Sequence, residues 1–131
     1  MRTLNGSMEA DYVVLCGGMW TRELGLRCGV SIPLYPVEHH YVVSEPIDGI
    51  HEDMPVGRDP DSQIYFRSEA GGVMLGAFQS VSEPWAVGRI PSDFSYQLLE
   101  ADWEKFQQPL EAGRRLIPAL ATADFPKFVN G

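Results

Sequence analysis

The sequence predicts an α+β fold, a mostly antiparallel sheet covered by one long helix. Three observations carry that expectation. Short runs rich in Val, Ile, Tyr and Phe recur along the chain and are punctuated by Gly and Pro. Two of them, residues 63–67 and 73–78, are joined through Ala70-Gly71-Gly72, as the arms of a hairpin would be. Only one stretch, beginning near Ser92, repeats apolar residues at the three- and four-residue steps of a helix.

Taken in order, Leu4 with Asn5-Gly6 and Met8 predicts an opening hairpin, because Asn-Gly accepts the positive φ angles of a tight turn. Tyr12-Val13-Val14-Leu15-Cys16 is continuously apolar, as a strand covered on both faces would be. It ends at Gly17-Gly18, and Trp20 to Leu26 then reads as a short helix stopped by Gly29. A strand is expected over residues 34–44, between Pro33 and Pro46, with Pro36 marking an edge or a bulge. Its alternation sends Tyr35, Val37, His39, Tyr41 and Val43 to one face and Glu38, His40 and Val42 to the other. Residues 48–55 form a loop, and Arg58-Asp59-Pro60-Asp61 signals a turn before the 63–78 hairpin. After a polar loop with Pro84 and Pro91, Ser92 or Asp93 caps the long helix. Phe94, Leu98, Leu99, Trp103, Phe106 and Leu110 form its apolar face, Pro109 kinks it or begins a second turn of it, and Pro118 ends it. Residues 125–129 read as a last strand.

With 131 residues, 44% of them hydrophobic, the chain is long enough for one domain with a real core. A formal charge of −8 excludes nonspecific attraction to nucleic acid. No apolar run approaches the roughly 18 residues of a membrane span, and no apolar segment follows Arg2 to make a cleaved signal. Cys16 and Cys28 are too few for a disulfide framework. They suit a reduced, cytoplasmic setting, where both are expected to be buried packing groups.

The chemistry-bearing residues are few. Gly17-Gly18 ahead of a helix invites a phosphate-loop reading, but neither GxGxxG nor GxxxxGK[ST] is present, and a tight strand-to-helix turn accounts for it equally. His39 and His40 are adjacent on a strand and face opposite ways, so no metal site is expected from them. Tyr65 and Arg67 share one face of their own strand and can meet the His39 stripe, which gives a set suited to holding a carboxylate and handling a proton. A hydrogen-bonded core imidazole among solvated side chains fits the same pattern. Glu100 and Glu104 beside Lys105 read as a solvated helix face, and there is no serine-hydrolase elbow.

The order of segments adds to this. Residues 3–20, TLNGSMEADYVVLCGGMW, resemble the T-x-x-G-x-I-x-A-D-x-V-V-x-A-A-G-x-W stretch of D-amino-acid-oxidase-like FAD-dependent oxidoreductases, the family that includes dimethylglycine and sarcosine dehydrogenases. LYPVEHHYVV at 34–43 is similar to the family's P-V-x-H-Q-Y-V-V strand. Arg58-Asp59, then Ile64-Tyr65-Phe66-Arg67, then Gly72-Val73-Met74-Leu75-Gly76 follow its R-D…Y-x-R-x-E…G-L-L-x-G series. The resemblance runs almost the whole length, with His40 where the family often has Gln and Cys16-Gly17-Gly18 where it often has Ala-Ala-Gly.

That resemblance implies oxidation of a C–N bond in an N-methylated amino acid, with FAD carrying the redox chemistry. It implies His39 as proton acceptor and Tyr65 as hydrogen-bond donor, Arg67 and Tyr41 as substrate contacts, and Gly17, Gly18 and Trp20 beside the cofactor. Residues 1–30 are then expected to be a remnant strand-turn-helix of the FAD-binding layer, and 31–131 a substrate-binding domain truncated at its C-terminus. FAD is expected in a longer parent and not on this chain alone, which is expected to be inactive. A small-molecule amine is the expected partner of the parent, with no nucleic acid and no membrane. A homo-oligomer is expected to form through the apolar surface left exposed at residues 12–26. The alternative is a non-catalytic ligand-binding or protein-interaction module that keeps the sheet without the cofactor chemistry.

Overall fold

In the computed structural model, which describes residues 1–131, the chain divides into two units. One comprises Met1–Pro36 and Ala86–Pro91, the other Val37–Trp85 and Ser92–Gly131. The boundary therefore falls a few residues later than expected, and a short return segment joins the N-terminal unit. Two hydrogen bonds explain that return: Ile90 N–H donates to the Glu23 carboxylate at 2.8 Å, and the Arg22 guanidinium donates to the Val87 carbonyl.

The N-terminal unit opens with a hairpin, β1 (Arg2–Thr3) and β2 (Gly6–Ser7), but its turn is Leu4-Asn5 rather than the expected Asn5-Gly6. Asn5 does not take a positive φ, and Gly6, at φ 131°, is the first residue of β2. The apolar run that follows is not a strand. Residues 12–16 pair with nothing, and Tyr12 and Val14 are 91% and 81% exposed. A strand needs a neighbour for its N–H and C=O groups, and this chain supplies none there. The residual strand-turn-helix is thus only a turn and a helix. A short 3₁₀ turn, Gly18–Trp20, leads into α1 (Thr21–Arg27). Gly29, at φ 75°, ends α1 as expected: its N–H reaches the Leu26 carbonyl at 3.1 Å and Val30 N–H reaches that of Gly25 at 2.9 Å, a Schellman closure. Cys16 and Cys28 are exposed free thiols, contrary to the packing role expected of them. Cys16 lies in the unpaired run, and Cys28 is the exposed C-cap of α1.

The second unit is a five-stranded sheet in the order β4-β5-β6-β3-β7, antiparallel at every pairing. Its strands are β3 (His40–Val43), β4 (Gly57–Asp59), β5 (Ile64–Glu69), β6 (Gly72–Ala77) and β7 (Lys127–Asn130). Arg58 and Asp59, expected in a turn, lie in the edge strand β4, and the turn begins at Pro60. β3 is shorter than the 34–44 expected. His39 still exchanges two 3.1 Å backbone bonds with Gly131, but Val37 and Glu38 peel away to pair with Pro84 and Glu83.

One face of the sheet carries α2 (Trp103–Leu116). Val42, Ile64, Val73, Leu75 and Ala77 meet Phe106, Ala112 and Leu120 in a fully buried core. Leu75 lies so close on Gly113 that any side chain there would collide with it. The helix begins ten residues later than the apolar periodicity suggested. Residues 92–101 are instead tied to the end of β7: Leu99 N–H donates to the Asn130 carbonyl at 2.8 Å, and the Asn130 amide donates to the Glu100 carbonyl at 2.9 Å. Tyr96 at φ 54° is incompatible with a right-handed helix, and the cap is Asp102, whose carboxylate accepts from Lys105 N–H at 3.0 Å. The covering helix therefore has 14 residues. Pro109 sits inside it. It offers no N–H to the Lys105 carbonyl, which accepts a 2.9 Å bond from the Gln79 side-chain amide instead. No helix of the chain is long and apolar enough to cross a membrane.

Candidate functional site

The sheet face opposite α2 carries the titratable and aromatic side chains. Its positions follow from register. Arg58, Tyr65, Gly76, Tyr41 and Val129 stand in one cross-strand row, and Arg67, Met74, Val43 and Lys127 in the next row on the same face. One step the other way, His39 and Phe78 continue the face beyond the ends of β3 and β6. Gly76 is the gap in the first row. The Tyr65 ring lies in the space that a side chain at 76 would fill.

The rings converge. His39 and Phe78 have centroids 5.0 Å apart, Tyr65 and Phe78 4.8 Å, and His39 and Tyr65 6.4 Å with nearly parallel planes. The imidazole and phenol expected to act together are thus on one side of the sheet. His39 Nε2 is buried without a hydrogen-bond partner. Burial lowers the His39 pKa from the usual 6.5, and the neighbouring charge of His40 lowers it further, so the ring is neutral at physiological pH and able to accept a proton. Burial raises the Tyr65 pKa above 10.0, the Tyr41 phenol adds to that and Arg67 opposes it, so Tyr65 remains a hydroxyl donor.

Cations frame the cluster. The Arg58 guanidinium lies over Phe78 at 4.9 Å from the ring centre, and the Lys127 ammonium is 6.0 Å from that of Tyr41. Arg67 is bound to Glu69 at 2.9 Å. With Arg67 paired, Arg58 and Lys127 are the unpaired cations of this face, on a chain whose formal charge is −8, and they favour an anionic group locally.

His40 points the other way, buried against the edge of Phe128, with Nε2 3.5 Å from the Glu38 carboxylate. The two imidazoles do not share a site. A hollow of about 520 Å³ in this unit does not include His39; it is lined among others by Glu38, Trp85, Glu100, Asp102, Glu104, Lys105 and Asn130. Lys105 meets Asp102 at 3.1 Å and Glu38 at 3.6 Å, and the Asn130 amide donates to Glu38 at 3.0 Å, while Glu100 and Glu104 form no ion pair. Both ring nitrogens of His40 are also buried without a hydrogen-bond partner, so what sets the aromatic face apart is the convergence of His39 with Tyr65 and Phe78.

Along its full length, residues 2–131, the chain matches the family model described as FAD dependent oxidoreductase. It belongs to that family. This FAD-dependent oxidoreductase segment is 40% identical over 128 residues to a 4-methylaminobutanoate oxidase (formaldehyde-forming) of Paenarthrobacter nicotinovorans, covering 98% of this chain and 15% of the relative. It is 33% identical to human mitochondrial dimethylglycine dehydrogenase, covering 100% of this chain and 16% of the relative. To human mitochondrial sarcosine dehydrogenase it is 32% identical, covering 100% and 14%. The chain thus spans about one-sixth of the length of the curated relatives it matches.

FAD is the cofactor of the family, and the fit of this segment to it can be judged from the residues present. Gly17 and Gly18 make no phosphate cradle: a side chain at 17 would strike Leu24, and the helix that follows has seven residues. With no GxGxxG loop in the sequence, this segment does not fit the dinucleotide part of FAD. Trp20 is 40% exposed in the 3₁₀ turn beside those glycines. Three residues of the aromatic face, Phe78, Arg58 and Gly76, were absent from the set expected from sequence. The signal for them was register: a hairpin turning at Ala70-Gly71 sets Tyr65 opposite Gly76, and alternation along the second arm then brings Phe78 to the same face.

Proposed function

We propose that the sheet unit is the substrate-facing wall of an FAD-dependent amine oxidoreductase acting on N-methylated amino acids of the dimethylglycine or sarcosine class, and that this segment alone is inactive. The observation that carries the reading is the convergence of a neutral imidazole with a free Nε2, a tyrosine hydroxyl and a phenylalanine on the face opposite the helix. In the longer polypeptide FAD supplies the two-electron oxidation of the C–N bond. An amine reaching this face arrives protonated and is not oxidisable until its nitrogen lone pair is freed; His39 takes that proton. Tyr65 donates to the substrate and fixes its orientation, Phe78 excludes water from the reacting carbon, and Tyr41 and Arg67 complete the rim. Gly17, Gly18 and Trp20 belong to the cofactor side only as a turn of the N-terminal unit. Two exposed free thiols suit a reducing compartment such as the cytoplasm. The exposed run at 12–16 is the surface through which two copies associate.

The test uses the flavin-loaded, full-length polypeptide that contains this segment. Anaerobic mixing with dimethylglycine, sarcosine or 4-methylaminobutanoate is expected to bleach the flavin. His39→Ala and Tyr65→Phe are expected to slow that step about 10²-fold or more while flavin content is retained. Unchanged reduction rates in both variants would remove the assignment of these two residues. No bleaching by any such amine would leave the non-catalytic binding module as the better reading.

A further inference from the structure

Building on that proposed function, we propose that Arg58 is the anchor for the carboxylate of the amino-acid substrate, setting the specificity for amines that carry one. Three observations distinguish it from the other cations of the face. Arg67, the residue whose motif position first drew attention, is engaged: Glu69 holds its guanidinium at 2.9 Å. Lys127 is unpaired but stands beside Tyr41, two rows away from His39. Arg58 forms no ion pair within the chain, and its guanidinium rests 4.9 Å over Phe78, the ring that also touches His39 at 5.0 Å and Tyr65 at 4.8 Å.

The mode of contact matters as much as the place. Stacking on an aromatic ring occupies the face of a guanidinium and leaves the N–H groups at its edge free, in a planar fork that matches both oxygens of a carboxylate. The ring holds the cation in place without neutralising it, so less side-chain freedom is lost when the anion arrives. A substrate with its amine at His39 and Tyr65 would extend its carboxylate across Phe78 to reach Arg58. The edge position of β4 leaves the Arg58 side chain exposed and able to follow substrates of different length.

The decisive measurement is binding in the flavin-loaded full-length polypeptide, by calorimetry and by the change in flavin absorbance. One probe is N,N,N-trimethylglycine, which carries the carboxylate but has no amine lone pair to oxidise. The other is tetramethylammonium, which has no carboxylate. Arg58→Met is expected to weaken trimethylglycine about 10- to 100-fold, the range for a hydrogen bond to a charged group, and to leave tetramethylammonium unaffected. Arg58→Lys is expected to recover part of the loss. An Arg58→Met protein that binds trimethylglycine as the wild type does overturns the proposal. Equal weakening of both probes also overturns it, since that result assigns Arg58 a packing role on Phe78. Should Arg58→Met lose its flavin or its fold, Arg58→Lys decides, because full affinity in that variant shows that the planar fork is not used. Failure of the wild type to oxidise any of dimethylglycine, sarcosine and 4-methylaminobutanoate would be a failure of the proposed function. An active wild type with an indifferent Arg58 would sink this inference alone.

Discussion

His39 shows how one position acquires chemistry from its neighbours. Its ring is pressed between Phe78 and Tyr65, and its pKa is lowered first by burial and then by His40. Between that lowered value and the usual 6.5 the folded protein binds fewer protons at this site than the unfolded chain does. The contribution to stability is therefore complete above pH 6.5 and declines as the solution is acidified through that window. His39→Gln, which cannot take the proton, is expected to have a flatter profile of melting temperature from about pH 7.5 to about pH 5.5, above the range where most carboxylates titrate. Parallel profiles for the two proteins would contradict this. Alternation alone showed that His39 and Tyr41 share a face, because a strand has only two. That Nε2 lacks a partner was not legible, since the rings packed against His39, those of Tyr65 and Phe78, come from a hairpin later in the chain.

Among the elements, the 64–77 hairpin was the most readable. Its turn fixes its register, and its register fixes the row that contains Tyr65 and Gly76. The covering helix was the least readable at its start. Phe94, Leu98 and Leu99 have helical spacing, but backbone bonds from β7 and a left-handed Tyr96 hold that stretch out of the helix. Spacing reports a repeating apolar face and not the competition from another strand. The interior of α2 gives a sharper test. The Lys105 carbonyl left free by Pro109 is satisfied by Gln79. Gln79→Ala is expected to cost about 0.5–1.5 kcal/mol in chemical denaturation. In a Pro109→Ala background, where the new N–H can donate to that carbonyl, the same change should cost less. Equal costs in both backgrounds would show that the Gln79 bond does not serve the helix.

For the molecule as a whole, the unit boundary was the hardest feature to read. Nothing in the local composition of residues 86–91 announces that Ile90 and Val87 bond back to α1. The apolar run before that helix was legible as apolar but not as exposed, because pattern alone does not say whether a covering partner lies within the chain. Tyr12, Val13 and Val14 are all more than 60% exposed, and such contiguous apolar surface favours association. Sedimentation at increasing concentration is expected to show dimers or larger species, and Val14→Asp should shift them toward monomer. A single monomeric boundary at every concentration would rule out that surface as a contact between copies.

The carbonyl freed by Pro109 reaches further than the helix. Gln79, which caps it, directly follows Phe78, and Phe78 N–H is held by the Gln63 carbonyl at 2.7 Å. Two consecutive residues therefore rivet the outer layer of the unit to the ring on which His39, Tyr65 and Arg58 lean. Loosening the first turn of α2, where the Lys105 carbonyl lies, would therefore disorganise the aromatic wall on the far side of the sheet.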